Sequence, residues 1–164
     1  MSHTYPATLH KQERICSKKL IDAIFAGTKS RSMSAFPLRV VYMPLDEEHN
    51  GNSASEQEDG NMPNTQRPKA KMLISVPKRY FKRAVKRNRV KRQVREAYRK
   101  NKSIIADKAV ALAFIWTDAQ LHDSEQVEKK VVNLLTRVKE KLEKTEDGKI
   151  DYSDDFFGKQ TSLT

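Results

Sequence analysis

A basic run from Lys78 to Lys100 constrains the fold of this chain more than any other stretch. About half of its positions are arginine or lysine, Glu96 is its only acid, and neither proline nor glycine interrupts it. Pro77 stands just upstream, where it closes the preceding segment. The sequence therefore predicts an α-helix that begins near Arg83 and ends near Lys100.

The predicted helix has an apolar face and a cationic face. The apolar side chains recur at the spacing of a stripe that packs on a core, and they are Val90, Val94, Ala97 and Tyr98. The opposite face carries Asn88, Lys91, Arg92, Arg95 and Arg99. Like charges at these spacings repel by about a few tenths of a kcal/mol per pair, and the planar guanidinium of arginine suits phosphate oxygens. The cationic face favours a polyanionic partner over a merely solvated basic surface.

The overall charge supports this interpretation. The 164 residues carry a net charge of +11, and 37% of them are hydrophobic, which is typical of one small domain with a polar surface. Such a charge predicts binding to nucleic acid or to an anionic membrane. The sequence contains no apolar run of about 20 residues and no signal-peptide pattern, so we expect a cytoplasmic protein.

The residue types that carry catalysis are sparse. Cys16 is the only cysteine, which excludes an internal disulfide and a thiolate zinc cluster, and we expect it to be a buried or half-buried structural thiol. The four histidines occur singly, at His3, His10, His49 and His122. We therefore predict no catalytic residue and no metal site in this chain.

Helix and strand patterns flank the basic run. Residues 11–27 contain a short amphipathic helix with Ser17 as its N-cap and Gly27 as its stop. Strands are predicted at residues 31–35, 37–43, 71–76 and 109–116, the last being central because it is apolar on both faces. A second amphipathic helix is predicted over residues 124–144.

Alternation assigns the faces of the second strand. Phe36, Leu38, Val40 and Tyr42 should share one face, with Arg39 and Val41 on the other. Trp116, at the end of the central strand, should fill the core.

Composition sets the domain limits. Residues 44–68 and 145–164 are rich in polar and acidic side chains and are predicted to be disordered. Residues 1–10 are predicted to be a flexible arm, which leaves a single domain at 11–144 that is predicted to bind nucleic acid. The order of elements indicates an α+β two-layer sandwich, a four-stranded sheet with helices in the order α-β-β-β-α-β-α.

The segment from Arg87 to Glu96 resembles the signature helix of the bacterial ribonuclease P protein component. The pattern of that family is Arg-Asn-Arg, an aliphatic residue, Lys-Arg, two residues and Arg, and residues 87–95 match it without a gap. Residues 73–79 also resemble the strand and basic turn that precede this helix in the family.

The resemblance implies a left-handed crossover around the basic helix and a definite function. It implies a protein subunit of ribonuclease P that binds the catalytic RNA and the 5′ leader of precursor tRNA and assists 5′ maturation. The RNA subunit, with bound Mg²⁺, would be the endonuclease, and the protein alone would bind no cofactor. Neither DNA nor a membrane is expected as a partner.

The resemblance also assigns candidate site residues. The expected RNA-binding residues are Lys78, Arg79, Arg83, Arg87, Asn88, Arg89, Lys91, Arg92, Arg95 and Arg99. In the family two aromatic side chains of the first helix line a cleft for the leader. Phe25 stands at the second of these positions and Ile21 at the first, and Arg39 is the candidate for phosphate contact from the sheet.

Three other functions fit parts of the sequence. A ribosomal or other structured-RNA-binding protein would share the charge but would not require the unbroken signature. A basic-region DNA reader would need heptads after the basic run, and a membrane-surface helix would need bulky apolar anchors opposite the charges.

Overall fold

The computed structural model describes residues 8–45 and 69–146. The helices are α1 (Lys18–Ala26), α2 (Ala84–Asn101) and α3 (Ser124–Glu146), and the strands are β1 (Arg31–Ala35), β2 (Leu38–Pro44), β3 (Lys71–Ser75) and β4 (Val110–Trp116). Short 3-10 turns cover Lys11–Glu13 and Lys102–Ile104. The predicted order of elements is confirmed. Most of the predicted insertion and tail, residues 46–68 and 147–164, lies outside the described residues.

The four strands form one mixed sheet in the order β1-β2-β4-β3. β1 and β2, and β2 and β4, pair antiparallel, whereas β3 and β4 pair parallel. Parallel neighbours need a crossover connection, and α2 supplies it. Six of the seven side chains of β4 are buried, and the strand has a partner on each side, which confirms its predicted central place.

One face of the sheet packs against α2 and α3. The apolar stripe of α2 is buried as predicted, with Val90 and Val94 fully inaccessible. The stripe of α3 meets it, and its buried members are Val127, Val131, Leu134, Leu135, Val138 and Leu142. Trp116 is buried between these helices and the sheet, as predicted. Burying one such aliphatic side chain contributes about 1.5–3 kcal/mol, so this cluster fixes the rotation of α2 about its axis.

The opposite face of the sheet is covered only in part, by α1. Leu20 and Ile24 of α1 pack with Ile15 against Ala111 and Ala113 of β4. The helices therefore lie on both sides of the sheet, and within residues 8–45 and 69–146 no other α-helix packs on this face beside α1.

Gly27 ends α1 because the chain turns too tightly there for a side chain. A Cβ at this position would lie 2.2 Å from the carbonyl oxygen of Ala23, and the Gly27 amide donates to that oxygen over 2.8 Å. The φ angle of Gly27 is −77°, so close approach rather than a left-handed backbone selects glycine.

Two side chains lie where the sequence analysis did not place them. Phe36 was predicted to share one face of the strand with Leu38, Val40 and Tyr42, but it stands in the turn before β2 and is 61% exposed, whereas those three side chains are buried. The alternation does not extend to it because β2 begins only at Leu38. Cys16 was predicted to be buried or half-buried and is exposed. The amide of its neighbour Ile15 donates a hydrogen bond to the carbonyl oxygen of Met72, and the Ile15 side chain is buried in the core instead.

The N-terminal residues that the structure describes are held against the domain. Leu9 packs on the larger core, and the carbonyl oxygen of Thr8 accepts a hydrogen bond from Lys102. Residues 8–10 of the predicted arm are therefore in contact with the domain, and residues 1–7 lie outside the described part of the chain.

Candidate nucleic-acid interface

The core places a row of cationic and polar side chains on the outer surface of α2. Asn88, Arg89 and Arg92 are exposed, and Lys91 and Arg95 are half-buried. These five residues are called the basic face. Because Val90 and Val94 are buried on the other side of the helix, the basic face points to solvent.

Arg87 has a different position from the basic face. Its guanidinium Nη1 donates to the carbonyl oxygens of Phe81 and Lys82, each over 2.7 Å. These carbonyls belong to the loop that leads into α2. Arg87 therefore holds the start of the helix in place, in addition to contributing positive charge near Arg83, which is exposed at the N-cap.

Arg99 is paired within the helix. Its Nε and Nη2 donate to the two carboxylate oxygens of Glu96 over 2.8 and 2.5 Å. The hydrogen bond from Arg99 lowers the pKa of Glu96, and it raises the pKa of Arg99. Glu96 thus adds one negative charge near the C-terminal end of the predicted RNA-binding residues of α2, and this charge offsets the positive charge of Arg99.

The turn before α2 adds two exposed cations. Lys78 and Arg79 both face solvent. The guanidinium of Arg79 lies over the ring of Tyr80, 4.9 Å from its centroid, and Nη2 of Arg79 reaches the Tyr80 hydroxyl over 3.2 Å. A guanidinium stacked on a ring is orientationally restricted, which lowers the entropy cost of binding a phosphate.

A shallow cleft of about 300 Å³ lies between α1 and the sheet. Its lining residues are Ile24, Phe25, Ser30, Arg31, Ser32, Arg39, Val41 and Ile115. Phe25 is 51% exposed, and Nη2 of Arg39 donates to the hydroxyl of Ser32 over 3.1 Å. The cleft brings together an accessible aromatic ring and guanidinium groups.

The structure unites two of the three predicted cleft residues. Phe25 and Arg39 line the cleft, whereas Ile21 is partly buried against the core cluster beneath α1. Sequence analysis missed Arg31 and Ile115, which reach the cleft because β1 and β4 flank β2 on either side. Arg39 is directly opposite Ile115 in the sheet, a register that no local pattern specified.

A metal site or a membrane span would need a different arrangement of residues. Within residues 8–45 and 69–146, no group of three or more histidine, cysteine or acidic side chains is placed to hold a metal ion. The helices in those ranges include none that is both long and apolar enough to cross a membrane.

An arginine-rich helix face and a cleft with an accessible aromatic ring, both on one α+β domain, define a nucleic-acid-binding protein. The Ribonuclease P family model matches residues 9–139 of the chain. The chain belongs to the ribonuclease P protein family.

Relatives and solved structures agree with this assignment. Ribonuclease P protein components from two strains of Porphyromonas gingivalis are 37% and 36% identical to the chain over 143 residues, which is 82% of this chain and 90% of each relative. The ribonuclease P protein of Thermotoga maritima has the same fold, with a TM-score of 0.54 and 23% identity over 76% of this chain and 96% of its own. A Staphylococcus aureus ribonuclease P protein mutant, described as defective in mRNA degradation, gives a TM-score of 0.55 at 20% identity over 79% and 90% of the two chains.

Proposed function

We propose that this chain binds the catalytic RNA of ribonuclease P through the basic face and the 5′ leader of precursor tRNA through the cleft beside α1. In this proposal the RNA subunit, with bound Mg²⁺, cleaves the phosphodiester. The protein holds the RNA and the leader in place, and the complex acts in the cytoplasm.

The observation that carries the proposal is the orientation of α2. Its apolar stripe is locked into the core, so rotation cannot hide the cations of the basic face. The surface therefore presents a fixed array of guanidinium and ammonium groups to solvent. Such an array binds the phosphates of a folded RNA by releasing condensed counterions, and arginine adds bidentate hydrogen bonds.

The geometry of the cleft supports binding of a single strand. Phe25 offers a ring face on which one base can stack, and Arg39 lies in the same cleft to meet a phosphate. Proteins that bind single-stranded RNA combine these two elements, an aromatic platform and a cationic groove.

The division of labour between protein and RNA rests on family membership and on the chemistry of the two surfaces. The side chains of the basic face and the cleft are chiefly hydrogen-bond donors to phosphate and apolar groups, which bind and orient RNA. The Mg²⁺ of the complex would be held by the RNA and would supply the hydrolytic chemistry.

Reconstitution tests the proposal. Purified protein, a bacterial ribonuclease P RNA, and the two combined are each incubated with precursor tRNA at low Mg²⁺, and the 5′ ends are mapped. We expect mature 5′ ends chiefly from the combination and none from the protein alone. A variant with both Arg92→Ala and Arg95→Ala should need a higher protein concentration for the same rate. Cleavage by repurified protein without RNA, or full activity of the double variant at the wild-type concentration, would contradict the proposal.

A further inference from the structure

Phe36 is an exposed aromatic side chain on a firmly held turn. It is 61% exposed in the connection between β1 and β2. The carbonyl oxygen of the next residue, Pro37, accepts hydrogen bonds from both the amide and the hydroxyl of Thr117, over 2.9 and 3.0 Å. This double anchor ties the turn to the end of β4. Contact between a large apolar ring and water is unfavourable, and a ring on a firmly held turn cannot move away from the water. The exposure of Phe36 therefore calls for an explanation.

The inner side of the Phe36 ring is supported by His122. The two ring centroids are 6.0 Å apart with an interplanar angle of 80°, and His122 makes a similar contact with buried Trp116 at 5.5 Å. Nε2 of His122 also lies 2.6 Å from a carboxylate oxygen of Asp118. The ring of Phe36 thus rests on groups that are themselves held in place, and its remaining surface faces solvent.

This aromatic platform lies at the flank of the basic face. Nε2 of Gln93, a residue of α2, donates to the carbonyl oxygen of His122 over 3.0 Å and to the hydroxyl of Ser124 over 3.1 Å. In the helix, Gln93 is next to Arg92 and one turn after Arg89. Gln93 therefore holds the segment of His122, on which Phe36 rests, against the side of α2 that carries Arg89 and Arg92.

We propose that Phe36 stacks on an unpaired base of the RNA that the basic face binds. This inference rests on the proposed function and adds a base contact to what is otherwise a phosphate-binding surface. Stacking on a fixed aromatic ring tolerates any base, and a ring that is already positioned loses little entropy on binding.

An RNA base fits the surface better than a protein partner does. A protein-docking site would need a contiguous apolar patch. Among the described residues the exposed large apolar side chains are Phe25, Phe36 and Val85, and these belong to α1, to the β1–β2 turn and to α2. Phe36 is thus a single exposed ring, and the segment of His122 that supports it is hydrogen-bonded to α2 at Gln93, the neighbour of Arg92.

Equilibrium binding of a bacterial ribonuclease P RNA tests the proposal across a series of salt concentrations. We expect Phe36→Ala to weaken binding about 5- to 100-fold, the equivalent of one base stack, while the slope of affinity against salt stays unchanged. Phe36→Leu should resemble Phe36→Ala, because it is apolar but cannot stack. Phe36→Trp should retain wild-type affinity, and its indole fluorescence should be quenched on binding. Asn133 is an exposed residue of α3, and Asn133→Ala serves as the control.

Thermal melting of each variant shows whether the fold is intact, and Phe36→Leu and Phe36→Trp provide the test if Phe36→Ala unfolds. The proposal is wrong if a folded Phe36→Ala or Phe36→Leu variant binds the RNA as tightly as the wild-type protein does. This holds also if that variant has lost binding to another protein. Arg92→Ala separates this failure from that of the proposed function. If Arg92→Ala weakens binding and Phe36→Ala does not, only the stacking inference falls.

Discussion

The ammonium of Lys102 lies 2.9 Å from Oε1 of Glu13, and both side chains are buried. The same ammonium donates to the carbonyl oxygen of Thr8 over 2.5 Å, and the amide of His10 donates to Oε2 of Glu13 over 2.7 Å. This network joins the N-terminal turn to the residue that follows α2. Tyr98 is buried near this network. Burial, together with the negative charge of Glu13, raises the pKa of the Tyr98 hydroxyl.

Breaking this pair from one side should destabilise the fold strongly. Lys102→Met leaves the Glu13 carboxylate buried without its cation, and we expect a loss of about 3–5 kcal/mol in the free energy of unfolding. Adding Glu13→Gln to Lys102→Met should recover part of that loss, because no buried charge is then left. Denaturant unfolding measures both variants.

The control is the exposed pair of Lys129 and Glu125, whose nitrogen and oxygen lie 2.9 Å apart. Lys129→Met should leave the unfolding midpoint almost unchanged, since water and salt screen such a pair. If Lys102→Met and Lys129→Met have similar effects, the Lys102 network does not stabilise the domain.

Local periodicity predicted the elements of this fold well, and long-range pairing is what it could not supply. The stripes of α2 and α3 and the apolar run of β4 are properties of adjacent residues, so their burial followed from spacing alone. Lys102 and Glu13 are far apart in sequence, and each has the composition of a surface residue. The position of the Phe36 ring depends on where β2 begins and on contact with His122, which lies on another segment.

In the candidate site, too, local spacing predicted the direction of a helix face but not the contacts between distant residues. The outward direction of the basic face followed from the helix period, and the signature match gave the family. The inward turn of Arg87 and the pairing of Arg99 with Glu96 depend on side-chain rotamers, which spacing does not determine. The cleft depends on the strand order and register that bring β2 and β4 beneath α1.

The basic face should bind RNA electrostatically. Arg92→Ala and Arg95→Ala should each weaken binding to ribonuclease P RNA and should reduce the slope of log affinity against log salt by about one phosphate contact. Titrations at several salt concentrations measure both quantities. Arg137→Ala, a change of an exposed arginine on α3, tests whether any loss of positive charge has the same effect. An unchanged slope for Arg92→Ala and Arg95→Ala would mean that these side chains stay solvated in the complex.

Removal of Glu96 should have the opposite effect. Glu96→Gln deletes the negative charge that pairs with Arg99, so the net positive charge at this end of α2 rises by one. We expect tighter RNA binding and a steeper salt slope. Glu125→Gln makes the same charge change at the start of α3 and should have less effect. If the two substitutions tighten binding equally, net charge rather than the position of Arg99 is responsible.

The Asp118 carboxylate should contribute to stability only above acidic pH. The hydrogen bond with His122 lowers the pKa of Asp118 below its ordinary value of 3.8. A lowered pKa in the folded state stabilises the fold above the unfolded value, and this contribution is lost as pH falls through the folded pKa. The melting temperatures of wild type and Asp118→Asn should therefore differ at pH 5, and the difference should shrink as the pH falls below about 4. A constant difference down to pH 2 would show that the carboxylate charge is not responsible.

Phe25 and Ile21 provide a matched pair on α1, one residue in the cleft and one against the core. Phe25 is 51% exposed, so Phe25→Ala should leave the melting temperature nearly unchanged, whereas Ile21→Ala removes packed methyl groups and should lower it. Stacking of a leader base on Phe25 would be worth about 1–3 kcal/mol. Phe25→Ala should therefore weaken binding of precursor tRNA to the reconstituted complex by about 5- to 100-fold.

Mature tRNA, which lacks a leader, separates leader binding from a general effect on the complex. Phe25→Ala should leave its affinity unchanged, and Ile21→Ala, once folded, should affect both RNAs alike. Precursor tRNAs with leaders of increasing length should show the loss only when the leader is long enough to reach the cleft. An equal loss for mature and precursor tRNA, with a lowered melting temperature, would make Phe25 a packing residue and would remove the leader from this cleft.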